Sequence, residues 1–146
     1  MEKFDPVEIL IVEDNASDSE LMLRALKKDN LVNQIHLVED GAEALDFIFC
    51  RGEYESYSHA KPLKVVFLDL KLPKVGGLEV LRQIRANKAT SQIPVVVVSS
   101  SREDPDIKTA YELGANAYVV KPVNFDDFIK AMRHTGLFWM LVNESP

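Results

Sequence analysis

The chain has 146 residues, 47% of them apolar and 27% charged, with a formal net charge of −6. That length is most simply one domain, able to bury about two-thirds of its unfolded surface, and the acidic balance argues against a nucleic-acid surface, which rests on clustered Lys and Arg. Cys50 stands alone, which excludes an internal disulfide, and no apolar run reaches the ~18 residues of a membrane span or forms a signal-peptide core after Met1, so a cytoplasmic protein without a direct nucleic-acid or membrane partner is expected.

Short apolar runs alternate with amphipathic stretches, the pattern of βαβ units and of a parallel sheet covered on both faces. Val7 to Val12 predicts a first strand, which ends in Glu13-Asp14. A helix follows from Ala16 to Lys28, with Ser17 and Glu20 at capping-box spacing. Asn33 to Val38 is a second strand, and Asp40 with Glu43 opens a second helix that runs to Cys50. Arg51 to Pro62 is a polar loop longer than most α/β connections; its Tyr54 and Tyr57 are read as covering the end of the second helix rather than as a partner contact. Lys64 to Leu68 is the third strand and ends in Asp69, after which Pro73 and Gly76-Gly77 turn the chain into a helix from Leu78 to Ala86. Pro94 to Val98 is the fourth strand and ends in Ser99-Ser100-Ser101. Asp104-Pro105 supplies an N-cap with proline at the first helical position, and Gly114 the stop. Asn116 to Val120 is the fifth strand, ending in Lys121-Pro122, and Asn124 caps a last helix that reaches at least Met132 and extends toward Leu141. The expected fold is α/β: a doubly wound, flavodoxin-like parallel sheet with five helices on two faces, in a single domain over 1–146 with its core at about 7–135.

Four apolar strands thus deliver polar or charged groups at their C-terminal ends, and in an open parallel sheet ligands bind there, where the strand order reverses. With the common order 2-1-3-4-5 the first and third strands are neighbours at that point, and Glu13, Asp14 and Asp69 converge. Three crowded carboxylates repel one another, and a hard divalent cation, Mg2+, is the natural compensation. Asp69, so neutralised, is placed to attack an electrophilic phosphorus and become phospho-aspartate. Lys121 and Ser99, from neighbouring strand ends, supply the positive charge and the hydroxyl that the transferred group calls for.

Glu13-Asp14, Asp69 with Pro73 four residues later and Gly77 eight later, Ser99, Tyr118 and Lys121-Pro122 together resemble the motif set of receiver domains of two-component response regulators, over nearly the whole chain. The resemblance implies Asp69 as phospho-acceptor for a histidine kinase, and Glu13 and Asp14 as metal-site acids, with Asp14 the direct ligand and Glu13 acting partly through water. It implies Lys71 as a backbone-carbonyl ligand, Ser99 as switch hydroxyl, Tyr118 as switch aromatic and Lys121 as phosphate-binding lysine. It further implies a cis bond between Lys121 and Pro122, a switch surface of the fourth helix, fifth strand and fifth helix, and a downstream protein of unknown identity. Ser99 stands where threonine is commoner, and Lys71 and Ser101 hold positions that in the family tune loss of the phosphoryl group to water. The Arg51 to Pro62 insertion, the segment Phe47 to Tyr54 and the run Leu68 to Lys74 are similar to the regulators paired with bacterial phytochrome histidine kinases.

The last helix carries Phe125, Phe128, Ile129 and Met132 on a core face, yet Leu137-Phe138-Trp139-Met140-Leu141 adds a further apolar run. One helix face cannot bury all of these, so the extension 136–146 is read either as a partner or homodimer surface or as a tail that folds back on its own domain. Rival readings fit less well. An aspartate-nucleophile phosphatase of the haloacid-dehalogenase type needs a second acid two residues after the nucleophile, where Lys71 stands. A flavodoxin-like flavin carrier would meet phosphate-repelling Glu13-Asp14 after its first strand. A receiver that switches without phosphate, as an interaction module alone, is the third. His36, His59 and His134 lack metal-ligand spacing, Cys50 reads as a partly buried thiol, Gly76-Gly77 is too short for a phosphate loop, and the serine triplet has no histidine partner.

Overall fold

The computed structural model describes residues 9–27, 34–56, 63–122 and 124–134. Along the chain come β1 (Ile9–Val12), α1 (Ala16–Lys27), β2 (Ile35–Val38), α2 (Gly41–Ile48), a 3-10 turn (Gly52–Tyr54), β3 (Val65–Leu68), α3 (Gly77–Ala86), β4 (Val95–Ser99), α4 (Asp104–Glu112), β5 (Ala117–Val120) and α5 (Phe125–His134). The strands pair in parallel in the order β2-β1-β3-β4-β5, as the alternation of runs predicts.

The three inner strands, β1, β3 and β4, are buried at every position, because helices cover both faces and leave no solvent side on which polar residues could alternate. Successive side chains point to opposite faces. Leu10 and Val12 therefore join Phe47, Val66, Leu68, Val80, Leu81 and Ile84 in one core, while Ile9 and Ile11 join Met22, Leu26, Phe67 and Phe128 in the other. The Phe67 and Phe128 rings, 4.9 Å apart, tie α5 to the sheet. Full burial of side chains of this size stabilises the fold by roughly 1.5–3 kcal/mol each.

Register decides where the polar strand ends go. Val12 stands beside Leu68, and Ser99 beside Val120, so the residues that follow these strands emerge at one end of the sheet.

Helix ends follow the capping chemistry, with shifts of a residue or two. Asp40 Oδ1 accepts from the Glu43 N–H at 2.7 Å and starts α2 as expected, but α2 stops at Ile48 rather than Cys50, which takes φ 54°. α1 is capped by Asn15, not Ser17: Asn15 Oδ1 accepts from the Asp18 N–H at 3.0 Å. Asn15 reaches that amide from outside the helix, whereas Ser17 lies inside it and is exposed. Glu20 pairs with Arg24 at 2.7 Å instead of closing a capping box. The N-cap of α4 is Glu103, one residue before the expected Asp104, because Ser101 Oγ accepts from the Glu103 N–H at 3.3 Å and holds the chain extended to that point. Gly114, at φ 103°, ends the α4 region, and Asn124 Oδ1 caps α5 through the Asp127 N–H at 2.8 Å.

Tyr54 is buried against α2: its ring meets Phe47 edge-on at 5.1 Å and its hydroxyl donates to Glu43 Oε2 at 2.7 Å. His36 stacks flat on Phe47 at 4.2 Å, a packing role. The 136–146 extension, Tyr57, His59 and the side chains of Phe125, Met132 and His134 lie outside the described residues. Among the described residues no helix is long and apolar enough to cross a membrane.

Candidate functional site

Asp69 is the first residue after β3. Its N–H donates to the Val12 carbonyl at 3.1 Å, extending the β1–β3 pairing by one step and leaving the side chain buried at the sheet's end. The turn that follows packs flat on α3: the Gly77 N–H donates to the Leu70 carbonyl at 2.9 Å, and a Cβ at Gly77 would fall on the carbonyl of Asp69, nearer than side-chain atoms approach backbone. Glycine at 77 thus lets the acid's own backbone lie against the helix start.

Glu13 follows β1 and is almost fully buried; its N–H donates to the Val38 carbonyl at 3.0 Å and its Oε2 accepts from the Asn15 N–H at 3.1 Å. Asp14 is exposed at the rim. One oxygen from each of Glu13, Asp14 and Asp69 lies within 4.8 Å of the others, as the strand order requires.

Lys121 enters from the end of β5, directly before the cis Lys121–Pro122 bond. Its ammonium lies 2.8 Å from Glu13 Oε1, 2.8 Å from Asp18 Oδ2 and 3.1 Å from Asp69 Oδ2. The contact with Asp69 is a hydrogen bond. That with Glu13 Oε1 is an ion pair outside hydrogen-bond alignment, so this buried oxygen has charge compensation but no aligned donor.

Burial raises the Glu13 pKa to about 7, helped by the charge of Asp69 and opposed by Lys121 and the Asn15 amide. Burial works to lower the Lys121 pKa, but Asp18, Glu13 and Asp69 together raise it above the ordinary lysine value. The ammonium therefore stays charged, while burial works against the ionised form of Glu13. An all-oxygen set of three clustered carboxylates, one with an unaligned buried oxygen, fits a hard divalent cation.

Ser99 is wholly buried at the end of β4. Its Oγ accepts from the Ser101 N–H at 3.2 Å, which leaves its own proton free to be donated toward the site. Ser101 uses its other two polar groups as well: its hydroxyl donates to Asp106 Oδ2 at 2.6 Å, and its carbonyl accepts from the Tyr118 hydroxyl at 2.9 Å. Tyr118 packs against the first core. Lys71 is exposed, with its N–H 3.5 Å from Asp69 Oδ1, the outer limit of a hydrogen bond.

The structure thus brings Glu13, Asp14, Asp69 and Lys121 together and links Ser99 to Tyr118 through Ser101. Sequence reasoning missed Asp18 and Asp106. Asp18 had a signal, since it follows Asp14 by four residues across the start of a helix, one helical turn away.

A family model for the response regulator receiver domain matches residues 9–133. In sequence the chain is similar to the probable methanogenesis regulatory protein FilR2 of Methanothrix harundinacea, 37% identical over all of this chain and 92% of that one. It is also similar to response regulator Rcp1 of Synechocystis sp., 36% identical over 92% of this chain and 90% of that one. Among solved structures, the bacteriophytochrome response regulator RtBRR is 47% identical, with 97% of this chain and 85% of that chain covered and a TM-score of 0.83. The Mn(2+)-bound form of Rcp1 is 35% identical, with 97% and 99% covered and a TM-score of 0.78.

Proposed function

The chain belongs to the response regulator receiver family, and from that premise we propose that Asp69 is its phospho-acceptor, receiving the phosphoryl group from the phosphohistidine of a histidine kinase. The observation that carries this reading is the burial of Asp69 between two further acids, Glu13 and Asp14, and the ammonium of Lys121. Receivers are signalling switches, and the haloacid-dehalogenase reading is not supported, Lys71 standing where its second acid is needed.

In the transfer, an Asp69 carboxylate oxygen forms the new P–O bond while the P–N bond to the kinase imidazole breaks, and the nitrogen keeps the electron pair. Held by Glu13, Asp14, Asp69 and the Lys71 carbonyl, Mg2+ would neutralise the acids and stabilise the charge on the transferred group. Lys121 supplies a fixed positive charge beside Asp69. Ser99 donates its proton to a phosphoryl oxygen, and Ser101 passes the pull to Tyr118 and to α4. Tyr118 is here already packed inward, so phosphorylation acts by holding this arrangement of α4, β5 and α5 against alternatives. Beyond acceptance from the kinase, the chain's own chemistry is confined to self-phosphorylation and self-dephosphorylation.

For the partner, we propose a phytochrome-type histidine kinase acting in the cytoplasm. The likeness to the bacteriophytochrome response regulator RtBRR and the Arg51 to Pro62 insertion support this, while the name of FilR2 points to a different process. The apolar run Leu137 to Leu141 supports a homodimer or a downstream protein seated on the tail, which sedimentation of the full chain against one ending at Thr135 distinguishes from a tail folded back.

Phosphotransfer from radiolabelled histidine kinase in Mg2+ tests the central assignment. The wild-type chain takes up label and Asp69→Asn takes up none; labelling of the variant at the wild-type level would overturn it.

A further inference from the structure

Lys121 contacts three carboxylates, and two of them, Glu13 and Asp69, belong to the acid cluster that fits a cation. Ammonium and cation therefore compete for the same oxygens. Among the described residues, the third partner, Asp18, lies outside that cluster. It sits in the first turn of α1 with its N–H held by Asn15, where the helix dipole favours a negative charge.

From this geometry we propose that Asp18 is a positioning residue: it keeps the Lys121 ammonium paired when Glu13 and Asp69 turn their oxygens to a divalent cation. The proposal rests on the reading of Glu13, Asp14 and Asp69 as the cation site. Without Asp18, Lys121 has only cation-binding acids as partners, and loading the site strips a largely buried ammonium of its compensation. With Asp18, Lys121 gives up Glu13 and Asp69 but keeps one carboxylate at 2.8 Å. The same anchor holds Nζ beside Asp69, where a phosphoryl group requires a positive charge. The side chains of Asp18 and Lys121 are 21% and 11% exposed, so the pair is only partly screened by water.

Calorimetric titration of the full chain with Mg2+ tests this as a double-mutant cycle. Asp18→Asn should weaken Mg2+ binding on the order of fivefold, and Asp18→Glu, which retains the charge, should restore most of it. Lys121→Met should tighten binding by removing the competitor. In the Lys121→Met background, Asp18→Asn should change the affinity by less than about twofold. An equal loss in both backgrounds would overturn the proposal, because Asp18 would then act as a distant charge and not through Lys121. An unchanged or tighter affinity for Asp18→Asn alone would overturn it too. Absence of Mg2+ binding by the wild-type chain would sink the cation-site reading itself, an outcome distinct from either.

Discussion

Two partly buried cations sit at opposite ends of the sheet. Arg85, on α3, reaches the N-terminal ends of β4 and β5, where it donates to the carbonyls of Ser91, Ile93 and Gly114 and to Asn116 Oδ1, at 2.6–3.1 Å. Lys121 sits at the C-terminal ends among carboxylates. Both are taken out of water, yet burial lowers the Arg85 pKa with no acid to offset it, whereas the acids around Lys121 hold its pKa above the ordinary value. Neutral carbonyls fixed by the backbone have nothing to exchange, so Arg85 is a bolt between α3, β4 and β5. Carboxylates can trade an ammonium for a cation or a phosphoryl group, so Lys121 belongs to a site that changes state.

The largest expected effect separates the two outright. Lys121→Met should slow phosphotransfer to Asp69 about a hundredfold, the scale of losing a charged group that faces the transferred phosphoryl, as read by the initial labelling rate. It should also destabilise the metal-free chain by about 3 kcal/mol, because buried Asp69 loses its ammonium partner while Glu13, already resistant to ionisation, is left to take up a proton, with Mg2+ restoring much of the loss in urea unfolding. The lysine pKa is raised, so its contribution is fully present at neutral pH and is lost only as pH rises beyond the ordinary lysine range.

Arg85→Met should cost about 3 kcal/mol in the same urea titration, since three partly buried carbonyls lose their donors at once. No part of that loss should return with Mg2+, and the folded variant should label at a rate within about twofold of wild type. Rescue by Mg2+, or a labelling defect as deep as that of Lys121→Met, would break the distinction between bolt and switch.

The smallest effect sharpens it. Tyr118→Phe removes the hydroxyl bond to the Ser101 carbonyl at 2.9 Å and should cost about 1 kcal/mol of stability, with phosphotransfer retained. The fluorine chemical shift of a fluorinated residue at 118 should respond to phosphorylation in the Tyr form, where the ring is tethered to the loop that carries Ser99.

Much of the fold was legible because the inner strands are short, unbroken apolar runs closed by polar residues. Glu13, Asp69, Ser99 and Lys121 were legible as a site for the same reason, each lying at or directly after a strand end. Caps at Asp40 and Asn124 were legible because short polar side chains there meet amides three residues on. Ser17 misled, since Asn15 lay nearer the true helix start. Gly77 read as a turn residue, whereas its main requirement is the close approach of the Asp69 backbone, which no local pattern announces.

By itself, then, the sequence determined which segments are buried, which polar groups stand at their ends and, by resemblance, the family. Tertiary structure decided who pairs with whom: Lys121 with Asp69 across 52 positions, Arg85 with Gly114 across 29, and Asp18 with a lysine that nothing near it in the chain suggests. The physical reason is range. Strand and helix signals come from a side-chain period within a few residues, but the partner of a buried charge is set by strand order and register, which join segments far apart in the chain.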